Sequence, residues 1–321
     1  MQTEIEIKFF VANDVATALS NLMNSLDIKK ASQQRLGNVY FDTPDLALRR
    51  LEMGLRIRRC DEFAEQTIKC RGQVVGGLHA RPEYNAPIDD DLPTLNAFPD
   101  DIWPTLAERD RIQQQLIAQF RTDFLRRHWL IAFDGAEIEL AWDQGEIAGS
   151  LGSSRIDELE LELKSGDTAA LFALAGRLAK LGGVRLGAQS KAQRGYQLAG
   201  LGKPLARQAL TDDKAMSDSA AIGEGLRHWQ HHEQLWLESR GNNEVQQQAF
   251  TALCEGVALI ERRATGVTAP WQPQLISLQA HLAREERQND HWPADLSALF
   301  LHPDYVALQL AIAAWLHQTA R

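Results

Sequence analysis

The sequence predicts an α+β protein of mostly antiparallel strands through about residue 200, followed by a separate all-α bundle. Two observations lead there. Short segments of alternating polar and apolar residues fill the first part, with two stretches of helical spacing among them; the alternation then stops after GLGKP at 200–204. A chain of 321 residues has room for two domains and a sizeable core.

The elements follow in order. EIEIKFF (4–10), GLRIRR (54–59), EQTIKC (65–70), HARPEYNAPI (79–88), AEIELAWD (136–143) and DELELELK (157–164) carry the period of two expected of strands. VATALSNLMNSL (15–26) and TAALFALAGRLAKLG (168–182) have helical spacing. Asn13-Asp14 is a cap for the first of these; the second follows Gly166-Asp167 and stops at Gly182-Gly183. Segments near 215–240, 244–265, 271–288 and 304–320 place residues such as Leu226, Trp229, Leu235, Trp236, Leu308, Ile312 and Trp315 at helical intervals. The expected domains are therefore residues 1–200 and 215–321, joined by a linker over 201–214.

The totals exclude several function classes. A net charge of −9 argues against generic nucleic-acid binding but permits a local cationic pocket. No run is long and apolar enough to span a bilayer, and the N-terminus shows no signal-peptide pattern. Cys60, Cys70 and Cys254 are too scattered for a disulfide framework or a zinc site, so a reducing cytoplasm is the expected compartment.

The strands share an unusual division. Glu4, Glu6 and Lys8 alternate with Ile5, Ile7 and Phe9; Arg56 and Arg58 with Leu55 and Ile57; Glu158, Glu160 and Glu162 with Leu159, Leu161 and Leu163. One such strand is a solvated face over a core. Across the set, however, the polar face is almost pure charge, cationic on the middle strands and acidic on the first and last. Closing the sheet with charges inward would set cations opposite carboxylates, and amphipathic helices would cover the apolar outside. Guanidinium forks suit phosphate oxygens, and carboxylates suit a hard divalent cation. A polyanion carried with a metal is the ligand such a lumen fits.

The ordered motifs EIEIKF, NVYFDTPDLALRRLEMGLRIRR, TIK, GGLHARPEYN, FRTDFLRRHW, LAWDQGEI, ELELEL and SKAQRGY resemble the CYTH superfamily of triphosphate tunnel metalloenzymes, which includes thiamine triphosphatases and class IV adenylyl cyclases. Within it they resemble the bacterial inorganic triphosphatases that carry a CHAD (conserved histidine α-helical) domain. The resemblance covers roughly residues 1–200. It implies an eight-stranded antiparallel barrel that threads triphosphate. It also implies that Lys8, Arg56, Arg58, Lys69, Arg81, Arg126 and Lys191 grip phosphate, that Glu4, Glu6, Asp143, Glu158, Glu160 and Glu162 surround Mg²⁺ or Mn²⁺, and that Glu4, Glu6 and Lys8 take part in catalysis. Arg126 rather than its neighbour Arg127 is expected to point inward, Lys191 has a helix-capping alternative, and Tyr40 and Asp42 read as turn-building residues.

GEGLRHWQHHEQLWLESRGN resembles the start of a CHAD domain, but residues 201–321 hold 10 Lys+Arg against 14 Asp+Glu, which is no basic polyphosphate groove. A partial CHAD-like bundle is expected, packing on the first domain or self-associating through Trp229, Trp236 and Trp315. Its histidines (His228, His231, His232, His281, His317) read as surface or partly buried residues; His228 and His232 have metal-compatible i,i+4 spacing but no third ligand. The implied activity is metal-dependent hydrolysis of inorganic triphosphate to pyrophosphate and phosphate. The alternatives are hydrolysis of thiamine or nucleoside triphosphate, and a non-catalytic phosphate-chain adaptor. No nucleic-acid or membrane partner is expected.

Overall fold

The structure, a computed structural model, describes residues 2–12, 15–61, 63–75, 78–285 and 292–319; the expected Asn13-Asp14 cap lies outside them. In chain order the elements are β1 (Gln2–Val11), α1 (Ala16–Met23), β2 (Asp27–Asp42), α2 (Ala47–Arg50), β3 (Gly54–Arg59), β4 (Ala64–Lys69), β5 (Gln73–Val75), β6 (Leu78–Pro87), α3 (Leu106–Gln115), β7 (Ile117–Phe133), β8 (Ala136–Gly149), β9 (Gly152–Ser165), α4 (Thr168–Ala179), β10 (Val184–Leu186) and α5 (Lys191–Leu198). Five helices follow: α6 (Asp218–Glu238), α7 (Asn243–Ala264), α8 (Gln272–Glu285), α9 (Trp292–Phe300) and α10 (Pro303–Thr319).

Strands run in the order β1-β9-β8-β7-β2-β3-β4-β6, and β6 pairs back onto β1. The result is an eight-stranded closed barrel, antiparallel at every seam, with β5 and β10 added at its rim. Closure removes the exposed edges that an open sheet would present. Local sequence supports the long hairpin of β7 and β8: Asp134 and Gly135 both adopt positive φ, 47° and 76°, as the tight turns that match strand twist require.

Two apolar layers cover the outside of the barrel. Ile7, Phe9, Ile138, Leu140, Leu159 and Leu161 bury their side chains against α1, α4 and the C-terminal helices in one continuous core. Leu55, Ile57 and Ile68 pack instead against α2, α3 and the 90–104 segment, through Leu95, Phe98, Trp103 and Ile112. Each such side chain contributes roughly 1.5–3 kcal/mol when fully buried.

A third cluster lies inside the barrel. Inward residues Leu36, Tyr40, Phe120, Phe124, Ile147 and Ile156 meet Tyr196 of α5, so that helix closes one end. Ser190 caps α5 by accepting from the Gln193 N–H. Gly195 lets α5 sit directly on β7; a Cβ there would lie 2.0 Å from Phe120 Cε2. Asp42, fully buried, accepts from the backbone N–H groups of Thr43, Leu48 and Arg49 and from Tyr196 O–H, tying the turn after β2 to this helix.

The C-terminal helices correct two expectations. Trp229 and Trp236 are 0 % and 1 % exposed, edge-on to Tyr305 and Phe300, so these two rings fill the chain's own core; Trp315, edge-on to Trp271, is the only one of the three expected rings left half-buried. His228 and His232 are likewise fully buried rather than at the surface, because α6 packs that face against α7 and the 205–208 segment. Among the described residues no helix is long and apolar enough to cross a membrane.

Candidate active site in the barrel lumen

Register places the charged parity of every strand inside. Lys8 lies opposite Glu160; Glu6 lies between His79 and Glu162, and Glu162 beside Glu139; Glu158, Asp143 and Arg126 form a third row. On the far side Arg56 and Arg58 of β3 face Thr67 and Glu65 of β4, and Lys69 faces Glu83. Together with α5 these strands line a cavity of about 560 Å³. Nine cations and seven carboxylates reach it, an excess of positive charge that an anionic ligand would offset.

The charges are distributed unevenly. On the β8–β9–α5 wall they are paired. Lys8 Nζ lies 2.9 Å from Glu160 and 3.5 Å from Glu158. Arg126 binds Asp143 through both its Nε and Nη2, at 2.7 Å each, and its Nη2 also reaches Glu160. Lys191 Nζ contacts Asp143, Glu158 and Glu160 at 2.8, 2.9 and 2.8 Å. Arg194 donates to Glu158 from behind. Burial alone would raise the carboxyl groups of Asp143 and Glu160, but the surrounding cations hold both below the usual range, Glu160 far below it. Burial likewise opposes the charge on Lys191 and Arg126, and their carboxylates more than restore it.

The β3–β4–β6 wall is different. Arg56 forms no ion pair with a described residue, and its buried Nε has no hydrogen-bond partner. Arg58 donates from Nε to Asn38 and comes no nearer than 3.8 Å to Glu65. Burial, then the neighbouring Arg56 and Arg126 cations, push its guanidinium down to about 9. Arg81 donates to His79 Nδ1, whose ring burial and nearby cations keep neutral. Lys69 is shared between Glu4 and Glu83. Tyr40 and Glu83 hold the Arg56 charge against burial, but the Arg58 charge is costly unless a ligand supplies a counter-charge.

Of the thirteen residues singled out from sequence, eleven line this cavity: Glu4, Glu6, Lys8, Arg56, Arg58, Lys69, Arg81, Arg126, Glu160, Glu162 and Lys191. Asp143 and Glu158 do not; both are fully buried behind it, clamped by Arg126, Lys191 and Arg194. Arg126 points inward while Arg127 lies outside over Trp142. Arg59 and Arg71 pair at the surface with Asp91 and Glu52. Glu83 and Arg194 belong to the lined cavity or its wall without having been assigned to it; the strand parity that Glu83 shares with Arg81, and for Arg194 the helical offset from Lys191, was the available signal.

Among the described residues no three His, Cys, Asp or Glu side chains converge closely enough to hold a metal in this arrangement. The donor chemistry nevertheless fits a hard cation. Glu6, Glu162 and Glu139 sit side by side on adjacent strands, and Glu6 has no ion pair or hydrogen bond to a described residue. Burial raises the Glu162 carboxyl, and the nearby Glu4 and Glu139 raise it further; Glu4 is raised by burial and by Glu6 and Glu83 against the pull of Lys69. Carboxylates crowded in this way gain from a bound cation.

Residues 2–196 match the CYTH domain family. A curated inorganic triphosphatase from Haemophilus influenzae is 38% identical over 212 residues, which are 66% of this chain and 58% of that protein; the chain thus spans somewhat over half the length of its curated relative. Among solved structures, a Hippeastrum protein described as an adenylyl cyclase with a dominant triphosphatase activity is 18% identical, covers 60% of this chain and 95% of its own, and has a TM-score of 0.44. A Bacillus halodurans protein described as an adenylate cyclase is 19% identical over 60% of this chain and 98% of its own, with a TM-score of 0.39. With the family match spanning more than half of its residues, this chain belongs to the CYTH domain family.

Proposed function

We propose that the barrel hydrolyses inorganic triphosphate to pyrophosphate and phosphate with Mg²⁺ or Mn²⁺. The observation that carries this reading is Arg58, buried beside the Arg56 and Arg126 guanidinium groups with Glu65 no nearer than 3.8 Å, in a lumen lined by more cations than carboxylates. Arg56, Arg58, Arg81 and Lys69 grip the phosphate oxygens, with Lys8 and Arg126 reaching the chain from the paired wall. Asp143, Glu158 and Glu160 hold those last two cations in place. Glu6 and Glu162, with Glu4 and Glu139, are the residues that would hold the divalent cation, which when bound screens the negative charge of substrate and transition state. Water forms the new bond to the terminal phosphorus as the bridging P–O bond breaks, the proton passing to a carboxylate or to solvent and the electron pair to the departing pyrophosphate. Glu4 and Glu6 are the carboxylates placed to orient that water. Positioning and electrostatic stabilisation supply most of the rate in such transfers.

The relative named an inorganic triphosphatase supports this substrate. We read the α6–α10 helices as a partial CHAD-like domain whose plain role is to pack over the barrel. The test is phosphate release from triphosphate, ATP and thiamine triphosphate, each with Mg²⁺, Mn²⁺ or EDTA. Release from triphosphate alone, and only with metal, is expected. Faster turnover of either organic triphosphate would overturn the substrate, and tight binding without release would make the barrel an adaptor.

A further inference from the structure

The lumen cations are held in two different ways. Arg126 of β7 lies opposite Asp143 of β8, and that carboxylate takes both its Nε and its Nη2. Arg58 of β3 lies opposite Asn38 of β2, the equivalent cross-strand place, but here the partner is an amide. Arg58 Nε donates to Asn38 Oδ1 at 3.0 Å. A guanidinium N–H only donates, so Asn38 presents its oxygen to Arg58 and its Nδ2 to the other side of the row. There Nδ2 donates at 3.0 Å to Oγ1 of Thr122, which lies opposite Asn38 on β7. Asn38 and Thr122 are 1 % and 0 % exposed and neither lines the cavity, whereas Arg58 does.

A neutral acceptor does what a carboxylate in that place would not: it fixes the Nε end of the guanidinium without cancelling the charge. Arg58 Nη1 comes no nearer than 3.8 Å to Glu65, and among the described residues the Nε contact is the one hydrogen bond Arg58 makes. Its Nη1 and Nη2 are thus held in place but left uncommitted. Arg81 on the same wall repeats the arrangement, donating to the neutral ring of His79. We propose that Asn38, seated on Thr122, is a positioning residue that aims the Arg58 guanidinium at a phosphate group of the bound anion while leaving its charge free for that group. This role rests on the lumen binding triphosphate, as proposed above, but not on hydrolysis.

The decisive variant is Asn38→Asp, which keeps the acceptor and the shape but adds the missing counter-charge; the Thr122 hydroxyl can turn to donate to it. Calorimetric titration of the full chain with inorganic triphosphate in EDTA reads binding without turnover. Urea unfolding reads the fold, and phosphate release with Mg²⁺ is followed in parallel. Asn38→Asp is expected to leave the urea midpoint unchanged or higher while weakening triphosphate binding roughly tenfold or more. In an Arg58→Met background the same substitution is expected to weaken binding by no more than about threefold. Thr122→Val, which removes only the seat of the amide, is expected to weaken binding roughly threefold; it decides alone if Asn38→Asp fails to fold, unchanged affinity then overturning the role. A purely structural Asn38 predicts unchanged affinity in Asn38→Asp. That result, or an equal loss with and without Arg58, overturns the positioning role. A loss in Asn38→Asp, from a parent that binds triphosphate without releasing phosphate, upholds the role and overturns hydrolysis; a parent that binds no triphosphate overturns both.

Discussion

Replacing Arg56 with methionine separates binding from folding. The guanidinium is buried and makes no ion pair with a described residue, and its Nε has no partner; a hydrogen bond with Tyr40 and the more distant Glu83 sustain its charge against the burial that opposes it. Methionine keeps much of the volume and removes a charge that forms no ion pair with a described residue, at the cost of the Tyr40 contact. The unfolding free energy should therefore fall by no more than about 1–2 kcal/mol. Turnover should respond very differently. Two charge-assisted hydrogen bonds to phosphate oxygens, each worth about 1.5–3 kcal/mol, disappear from the bound state. Even a total near 3 kcal/mol corresponds to a loss of roughly a hundredfold in kcat/KM. Urea unfolding and steady-state phosphate release from triphosphate, run on the same preparation, read both quantities. A variant that keeps kcat/KM within threefold, or that loses several kcal/mol of stability, would refute the argument that Arg56 is held for a ligand.

Three further outcomes follow from the same structure. Burial, then the nearby Arg227, depresses His228 to about 4, and burial depresses His232 to about 4. Because both sit below the unfolded value near 6.5, their contribution is complete above that value and lost as pH falls through about 4; urea midpoints should drop by the equivalent of several kcal/mol, up to about 7, across this window, and less in His228→Phe. Gly195→Ala forces a Cβ against the Phe120 ring, so α5 should lift from β7, costing about 1–3 kcal/mol by urea unfolding and lowering phosphate release with it. Asp42→Ala strands three backbone N–H groups and the Tyr196 hydroxyl; a loss above about 3 kcal/mol by thermal unfolding is expected.

Much of the fold was legible wherever one face of an element is buried and the other is charged. The strands at β1, β3, β4, β6, β8 and β9 announce themselves by parity, and parity also assigns inward residues, which is why most of the lumen could be named from the sequence. The long β2 and β7 could not. The first nine residues of β2 are exposed on both faces except the half-buried Ile28 and Gln34, so no alternation marks them. β7 carries apolar residues on both parities at Trp129, Leu130 and Ile131, because one side meets the outer core while the other looks into the barrel. Short helix α5 was legible only as a motif; its role as an internal plug depends on Gly195 meeting a ring 75 residues earlier in sequence, which no local pattern records. Ion pairing was the least legible feature, since parity says which charges share a lumen but not which of them saturate each other.

Lys191 shows the consequence. Sequence reasoning placed it among the phosphate ligands. An ammonium group has three donors, and all three of its short contacts go to Asp143, Glu158 and Glu160. Lys8, with one close carboxylate, and Arg126, with its Nη1 uncommitted, retain donors for a substrate. Under the proposed function, Lys191 therefore acts on the phosphate chain through the wall it assembles. Lys191→Met should leave three buried carboxylates short of a counter-charge, and breaking a buried network from one side typically costs about 3–5 kcal/mol. Part of that cost should return at low pH, because protonating the stranded carboxyls removes their repulsion; the stability deficit of the variant should shrink between pH 7 and pH 5, while Arg56→Met shows no such recovery. A Lys191→Met protein as stable as its parent at pH 7, but with the affinity for triphosphate selectively lost, would instead make Lys191 a direct phosphate ligand.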